Sequence, residues 1–350
     1  MIINKKKISK NSPSYFIADL ASNHDGDLER AKDLIWISKE SGADCAKFQH
    51  FLAERIVSDY GFKNMKISHQ ANWNDSVFNV YQKYQTPREW TDELVATCKK
   101  ADIEFMTTPY DIEAVELFED LVHCFKIGSG DITYLQLLQK ISATQKPVIL
   151  STGASSLTEI EDAMNILESG SDQICVMQCN TNYTGSDTNV KYQNLNVLKT
   201  LEKRWPNAIL GLSDHTSGHT SVLGAIAMGA RIIEKHFTDD NSRNGPDHGF
   251  SMNPKTWKTM IEKTRELEDA LGISEKKIED NEKETVIVQR RSIRMKSSKK
   301  ANETIELCDI EFLRPCPITA INPMFVKNII GKKLNKNKEK GEEIYPEDLN

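Results

Sequence analysis

Short apolar runs alternate with helix-period segments along most of this chain. Residues 15–21 form an apolar run. The turn Asn23-His24-Asp25-Gly26-Asp27 then reads as a helix cap, and a helical pattern follows to about residue 41. Residues 45–49 are the next strand. Residues 51–86 are polar and irregular, too long for a plain connection, and read as a functional excursion. Pro87 opens a helix that reaches Lys100. From there the rhythm is regular. Strands are expected at 103–107, 124–128, 147–151, 173–179, 208–213 and 231–236. The helices after them are expected at 111–119, 134–142, 157–168, 193–203, 218–228 and 254–271. The strands are nearly continuous in apolar residues, as parallel strands covered on both faces must be. Eight β-then-α units in roughly 250–270 residues fit a (β/α)8 TIM barrel. A doubly wound open sheet is the alternative, but no G-x-G-x-x-G follows the first strand.

The pattern changes late in the chain. Residues 1–275 hold the barrel, 276–287 read as a charged linker, and 288–350 as a small β-rich domain with turn-punctuated runs. A domain of about 60 residues is near the lower limit for independent stability, so packing against another surface is expected.

Composition narrows the class. The chain has 350 residues, 39% hydrophobic and 27% charged, with net charge −6. That balance argues against a nucleic-acid-binding surface. No apolar run reaches the ~18–20 residues of a membrane span, and the charged start lacks a signal-peptide core, so a cytoplasmic protein is expected. Seven cysteines without a C-x-x-C pair read as buried, reduced thiols.

A barrel places its active site at the C-terminal ends of the strands. Here those ends read Asp19 to Asn23, Lys47-Phe-Gln49, Thr107-Thr108-Pro, Lys126-Ile-Gly-Ser129-Gly-Asp131, Ser151-Thr152-Gly153, Gln178 to Tyr183, Ser213-Asp-His215 and Glu234-Lys-His236. Lysines, hydroxyls and glycine-flanked amides suit a phosphate or carboxylate. His215 and His236, one βα unit apart, can share a metal ion. Asp19, Asp131 and Asp247 remain for hydrogen bonding or proton transfer. Each has a plainer reading. A lone strand-end lysine often pairs structurally, Ser151-Thr152-Gly153 could cap a helix, and His24 divides between turn capping and function. His50, His69, His123 and His219 are given no role. His248 is read at most as a substrate contact, and the lysines of 332–340 as a solvated face.

Together these motifs resemble a known family. Asn23-His24-x-Gly26-Asp27, Ala46-Lys-Phe-Gln49, Thr107-Thr-Pro-Tyr110, Lys126-Ile-Gly-Ser-Gly130, Leu150-Ser-Thr-Gly153, Gly211-Leu-Ser-Asp-His-Thr216, Ile233-Glu-Lys-His-Phe-Thr238 and Gly245-Pro-Asp247 resemble the bacterial sialic acid (N-acetylneuraminate, or nonulosonate) synthases. The C-terminal part looks like that family's antifreeze-like (SAF) domain, including Arg314-Pro315.

The resemblance implies condensation of phosphoenolpyruvate with an open-chain, N-acetylmannosamine-like sugar, giving a nine-carbon keto acid and phosphate. It implies that His215 and His236 hold a divalent ion, Mn²⁺ or else Mg²⁺ or Co²⁺. Lys47, Thr108, Lys126, Ser129, Ser151, Thr181 and Ser213 fall on phosphoenolpyruvate positions. Asn72, Asp131, Tyr183 and Asp247 fall on sugar positions. Asp19, Lys47, Lys126, His215 and His236 would carry the chemistry. Arg314 would reach the sugar's N-acyl group from the partner of a domain-swapped homodimer.

The chain departs from the family at Asp19 and Asp131, where Glu is usual, and at Asp25, where Asn is common. Each Glu→Asp change shortens reach by about 1 Å. Thr86-Pro-x-Glu-Trp90 looks more like pseudaminate synthases, while Lys126-Ile-Gly-Ser-Gly130 and Gly245-Pro-Asp247 look more like the N-acetylneuraminate type. Legionaminate and pseudaminate synthases, a 3-deoxy sugar-acid synthase, an aldolase with a Schiff-base lysine, and a non-catalytic sugar-binding protein are the alternatives.

Overall fold

Strand alternation divides the apolar residues into two sets, and that division builds the fold. The computed structural model describes residues 1–65 and 75–350. It opens on a small hairpin, β1 (Ile2–Ile3) and β2 (Lys6–Lys7). Then come β3 (Tyr15–Asp19), β4 (Cys45–His50), β5 (Glu104–Pro109), β6 (Phe125–Ile127), β7 (Val148–Ser151), β8 (Ile174–Cys179), β9 (Ile209–Asp214) and β10 (Ile232–His236). These eight are parallel neighbours, and β10 closes on β3 in register Ile232↔Tyr15. The closed (β/α)8 barrel rules out the open sheet.

The helices fall close to expectation. They are α1 (Leu28–Glu40), α2 (Ala53–Ile56), α3 (Asp59–Lys63), α4 (Val77–Tyr84), α5 (Thr91–Ala101), α6 (Ile112–Phe118), α7 (Leu135–Ala143), α8 (Leu157–Glu168), α9 (Val197–Arg204), α10 (Thr220–Ala227), α11 (Pro254–Leu271) and α12 (Lys283–Gln289). Caps set their starts. Asp27 accepts from the Glu29 and Arg30 amides at α1, and Ser156 and Glu159 form a capping box at α8. Asn253 with Pro254 does the same for α11. The described residues of the excursion at 51–86 carry the short helices α2, α3 and α4.

Outward-facing residues such as Phe48, Phe105, Val176, Leu212 and Ile233 pack under the helices. Inward-facing Ile17, Cys45, Met106, Cys124, Ile149, Cys175, Met177, Ile209 and Ile232 fill the barrel's lower half. Ile3 and Ile8, around the N-terminal hairpin, join that inner cluster and plug the bottom. Each fully buried side chain of this size contributes about 1.5–3 kcal/mol. Gly211 belongs to this packing, because a Cβ there would lie 2.8 Å from the Ile232 carbonyl and 2.9 Å from Cys175 Sγ. One step further along the inner face the composition switches. Asp19, Lys47, Thr108, Lys126, Ser151, Ser213 and Glu234 are all buried there. The site is thus the polar top layer of an apolar barrel.

The chain divides into two units, Met1–Gly272 and Ile273–Asn350. The second is built on the antiparallel pair β11 (Ser292–Met295) and β12 (Ile310–Leu313). Ile293, Met295, Ile305, Ile310, Ile329, Leu334 and Ile344 form its core. The stretch expected as a linker carries α12. Two expectations need correction. Lys338 is buried, held by Asp348 at 2.6 Å and Glu342 at 3.0 Å, so 332–340 is not uniformly a solvated face. Cys308 is exposed and Cys316 half-buried, whereas the five barrel cysteines are buried free thiols.

Candidate active site

The floor of the barrel mouth is a chain of buried charges. Lys47 Nζ lies 2.7 Å from Asp19 Oδ2 and 3.3 Å from Thr108 Oγ1. Lys126 Nζ lies 3.2 Å from Glu234 Oε1, and Lys47 Nζ is 3.9 Å from Glu234 Oε2. Ser213 Oγ donates to Glu234 Oε1 at 3.1 Å. Two buried lysines on neighbouring faces of one hole are costly without partners. Asp19 and Glu234 are those partners. Burial raises the Asp19 pKa, but the charges of Lys47 and His236, with hydrogen bonds from Lys47 and Gln49, outweigh it and bring it to about 2. Asp19 is therefore ionised at neutral pH.

The two histidines sit beside this floor, their ring centroids 5.4 Å apart. His215 Nδ1 donates to the Asn180 carbonyl at 3.1 Å and lies 4.0 Å from Cys179 Sγ. Burial lowers its pKa, but Cys179, Asp214 and the Asn180 carbonyl outweigh it and raise it. Burial lowers the His236 pKa against the pull of Asp19 and Asp247. Its Nδ1 is buried and makes no hydrogen bond, 3.9 Å from Asp247 Oδ2, and its Nε2 is 3.6 Å from Asp19 Oδ2. Two imidazoles, one of them flanked by the carboxylates Asp19 and Asp247, are donors a borderline divalent ion takes once both rings are deprotonated. Among the described residues no group of three His, Cys, Asp or Glu side chains is poised around one point. The residues therefore fit an ion held by two protein nitrogens, with its other positions left for water or substrate.

Above lies a cavity of 460 Å³, lined by Ser22, Gln49, Ser129, Asp131, Thr181, Tyr183, His236 and Asp247. Tyr110 lines it too and donates to Gln49 Oε1 at 3.3 Å, while Gln49 Nε2 donates to Asp19 at 2.9 Å. Phe51, Ile56, Val80, Tyr81 and Tyr84 form its apolar wall. Burial pushes the Asp131 carboxyl up to about 6 against the opposing charge of Lys126. Tyr183 stacks edge-on against His215, centroids 4.6 Å apart. Gly153 donates its amide to Ser129 Oγ at 3.0 Å, and Thr181 Oγ1 presses so close that a Cβ at Gly153 would meet it at 1.8 Å. Ser151 ends β7 on the inner face, 3.8 Å from Met177 Sδ.

Most of the expected residues thus converge. Asn72 lies outside the described residues. Arg314 is exposed just past β12, in the second unit. His24 is a turn residue: its Nδ1 accepts from the Gly26 amide at 3.0 Å, and its ring stacks on Trp90. His50 bonds Thr107 and packs on Phe118. His248, fully buried between Thr238 and Asp25, is structural too. Asp25 has φ +55°, a left-handed position that suits Asp and Asn alike, which accounts for that departure.

Three residues went unassigned from sequence. Glu234 and Gln49 were readable, since each stands two residues from an assigned inward-facing one, His236 and Lys47. Phe250, whose ring is 4.9 Å from His236, comes from a loop past β10 and carried no local signal.

A closed parallel barrel with buried cations, carboxylates and paired imidazoles at its C-terminal mouth defines a (β/α)8-barrel enzyme. Residues 34–276 match the family described as the NeuB family, and the chain belongs to it. It is 36% identical to the N,N'-diacetyllegionaminic acid synthase of Campylobacter jejuni over 333 residues, 94% of this chain and 98% of that one. It is 32% identical to the pseudaminic acid synthase of Helicobacter pylori, over 93% of this chain and 94% of that protein. The crystal structure of an N-acetylneuraminic acid synthetase from Leptospira borgpetersenii superposes with TM-score 0.69 at 28% identity, covering 79% of this chain and 91% of that one. Among the described residues no helix is long and apolar enough to cross a membrane.

Proposed function

We propose that this protein condenses phosphoenolpyruvate with an open-chain 2-acetamido sugar and water to give a nonulosonic acid and phosphate. The observation that carries this reading is the pair of buried lysines, Lys47 and Lys126, bridged by Glu234, at the same barrel mouth as the paired imidazoles of His215 and His236. A compact polyanion needs concentrated positive charge in a water-poor site, and this floor supplies it.

Lys47, Lys126, Thr108, Ser129, Ser151, Thr181 and Ser213 hold the phosphate and carboxylate of phosphoenolpyruvate. His215 and His236 would hold a divalent ion, Mn²⁺ being the expected one, which when bound supplies Lewis-acid polarisation of the sugar aldehyde. The enol carbon attacks the aldehyde carbon, water adds at C2, and the C2–O bond to phosphate breaks. Ionised Asp19 anchors Lys47. Asp131, Tyr183 and Asp247 hold the sugar. Arg314, exposed on the small unit, would reach the N-acyl group in a second subunit of a homodimer, with the small unit acting as the SAF domain.

The acceptor reading is narrower than N-acetylmannosamine. The cavity lining among the described residues has no lysine or arginine, and one wall is apolar and aromatic. That supports an unphosphorylated, 6-deoxy, doubly acylated sugar, in line with the relatives named for legionaminic and pseudaminic acids. Phosphate release with phosphoenolpyruvate and a panel of N-acetylmannosamine, its 6-phosphate and the diacetamido-trideoxy mannose and altrose isomers tests it. The diacetamido-trideoxy sugars should give the highest kcat/KM. Preference for the 6-phosphate would overturn the acceptor reading.

A further inference from the structure

The top of the barrel contains a second buried ion pair, which touches neither the cavity nor the charged floor. Lys235 and Asp214 are 1% exposed or less, and they face each other across β9 and β10 as register partners. Alternation turns them outward, away from His236 and Ser213 and under the helices, onto the face where Ile233 and Leu212 are apolar. Apolar residues of similar size there would be neutral or stabilising. A pair retained in such a place calls for a reason beyond packing.

Its hydrogen bonds show what it fixes. Lys235 Nζ donates to Asp214 Oδ2 at 2.6 Å and to the Thr216 carbonyl at 2.7 Å. Asp214 Oδ1 accepts from the Thr216 amide at 2.9 Å and from the Thr216 hydroxyl at 2.8 Å. The three residues clamp the turn 214–216 from its buried side, and the residue between the clamped two is His215. Lys235 immediately precedes His236. One network therefore ties the strand end that carries one imidazole to the strand end that carries the other.

We infer that Asp214 and Lys235 are positioning residues that hold His215 in register with His236, keeping its Nδ1 on the Asn180 carbonyl and its Nε2 turned to the site. The inference rests on the reading of the two histidines as a metal pair only for its functional consequence. The positioning itself is a property of this chain.

The double substitution Asp214→Leu/Lys235→Met removes both charges without stranding either, so the fold should survive; Lys235→Arg serves as the conservative variant. The first readout needs no metal. In nitrogen-15 histidine spectra of the metal-free protein, recorded at a pH high enough to keep the ring neutral and assigned with His215→Ala, wild-type His215 should be a single Nδ1–H tautomer. In the double variant it should average between tautomers, and Lys235→Arg should restore part of the wild-type signal. The second readout is Mn²⁺ titration by calorimetry, where the double variant should bind about 10–100-fold more weakly, with the KM for phosphoenolpyruvate little changed because Lys47 and Lys126 are untouched. A folded double variant with the wild-type His215 tautomer and wild-type Mn²⁺ affinity would overturn the inference and leave the pair purely structural. Wild-type protein that binds no Mn²⁺ would refute the metal reading instead, and the tautomer would still decide the positioning.

Discussion

Glu234 Oε1 stands 3.2 Å from Lys126 Nζ, and its second oxygen, Oε2, is buried without a hydrogen bond. The carboxylate is the counter-charge of the two-lysine floor. Glu234→Gln should leave Lys126 and Lys47 undercompensated and destabilise the protein by about 1–3 kcal/mol. Phosphoenolpyruvate should then stabilise the variant more than the wild type. Thermal melts with and without the ligand check both parts.

Close packing around Gly153 gives a steric test. Gly153→Ala would place Cβ 1.8 Å from Thr181 Oγ1, a contact that must be relieved by movement. A loss of about 1–3 kcal/mol in stability is expected from overpacking, with at least a tenfold loss in kcat/KM for phosphoenolpyruvate, since 1.4 kcal/mol of transition-state binding is a factor of ten. Adding Thr181→Ala should recover stability. Failure of the double variant to recover would place the strain elsewhere.

Asp131 gives a pH signature. Burial raises its carboxyl to about 6, whereas Asp in an unfolded chain ionises near about 4. The folded protein thus binds this proton more tightly than the unfolded chain. Its contribution to stability is fully present below about pH 4 and is lost as the pH rises through 6. Asp131→Asn should therefore be more stable than wild type at pH 8, on the order of 1–3 kcal/mol, with the difference shrinking towards pH 4. Urea denaturation of both proteins across that range measures it.

Metal removal tests the imidazole pair. His215→Ala, or wild-type protein stripped with EDTA, should lose phosphate release by at least a hundredfold, and Mn²⁺ should restore only the stripped wild type. Full activity in both preparations would exclude a role for a metal held by His215 and His236.

Arg314 tests the assembly. The protein should sediment as a dimer, and Arg314→Ala should raise the KM of the acylated sugar while leaving that of phosphoenolpyruvate unchanged. A monomer with unaltered turnover in the variant would rule out the role across subunits.

Much of this was legible in the residue order because a barrel converts strand alternation directly into layers. Lys47, Lys126, Ser213 and His236 follow apolar runs on the inner face, so their place at the mouth follows from period two and strand length. Glu234 obeys the same rule, yet its role as counter-charge depends on distances to Lys47 and Lys126, which lie on strands far away in sequence. The short helices α2 and α3 were not readable, because segments of 4 and 5 residues take their helicity from tertiary contacts. The hairpin Ile2–Lys7 likewise exists by plugging the barrel floor with Ile3 and Ile8. The outward ion pair of Asp214 and Lys235 is visible in sequence as two charges inside strand ends. Its grip on Thr216 is not.

The central claim is condensation on the charged floor, and phosphate release in the presence of Mn²⁺ tests it most directly. Phosphate should appear only when phosphoenolpyruvate and a diacetamido-trideoxy hexose are both present, in equal amount to the keto acid formed, and Lys47→Met and Lys126→Met should each abolish it. Release without any acceptor, or none with any sugar of the panel, would contradict the account.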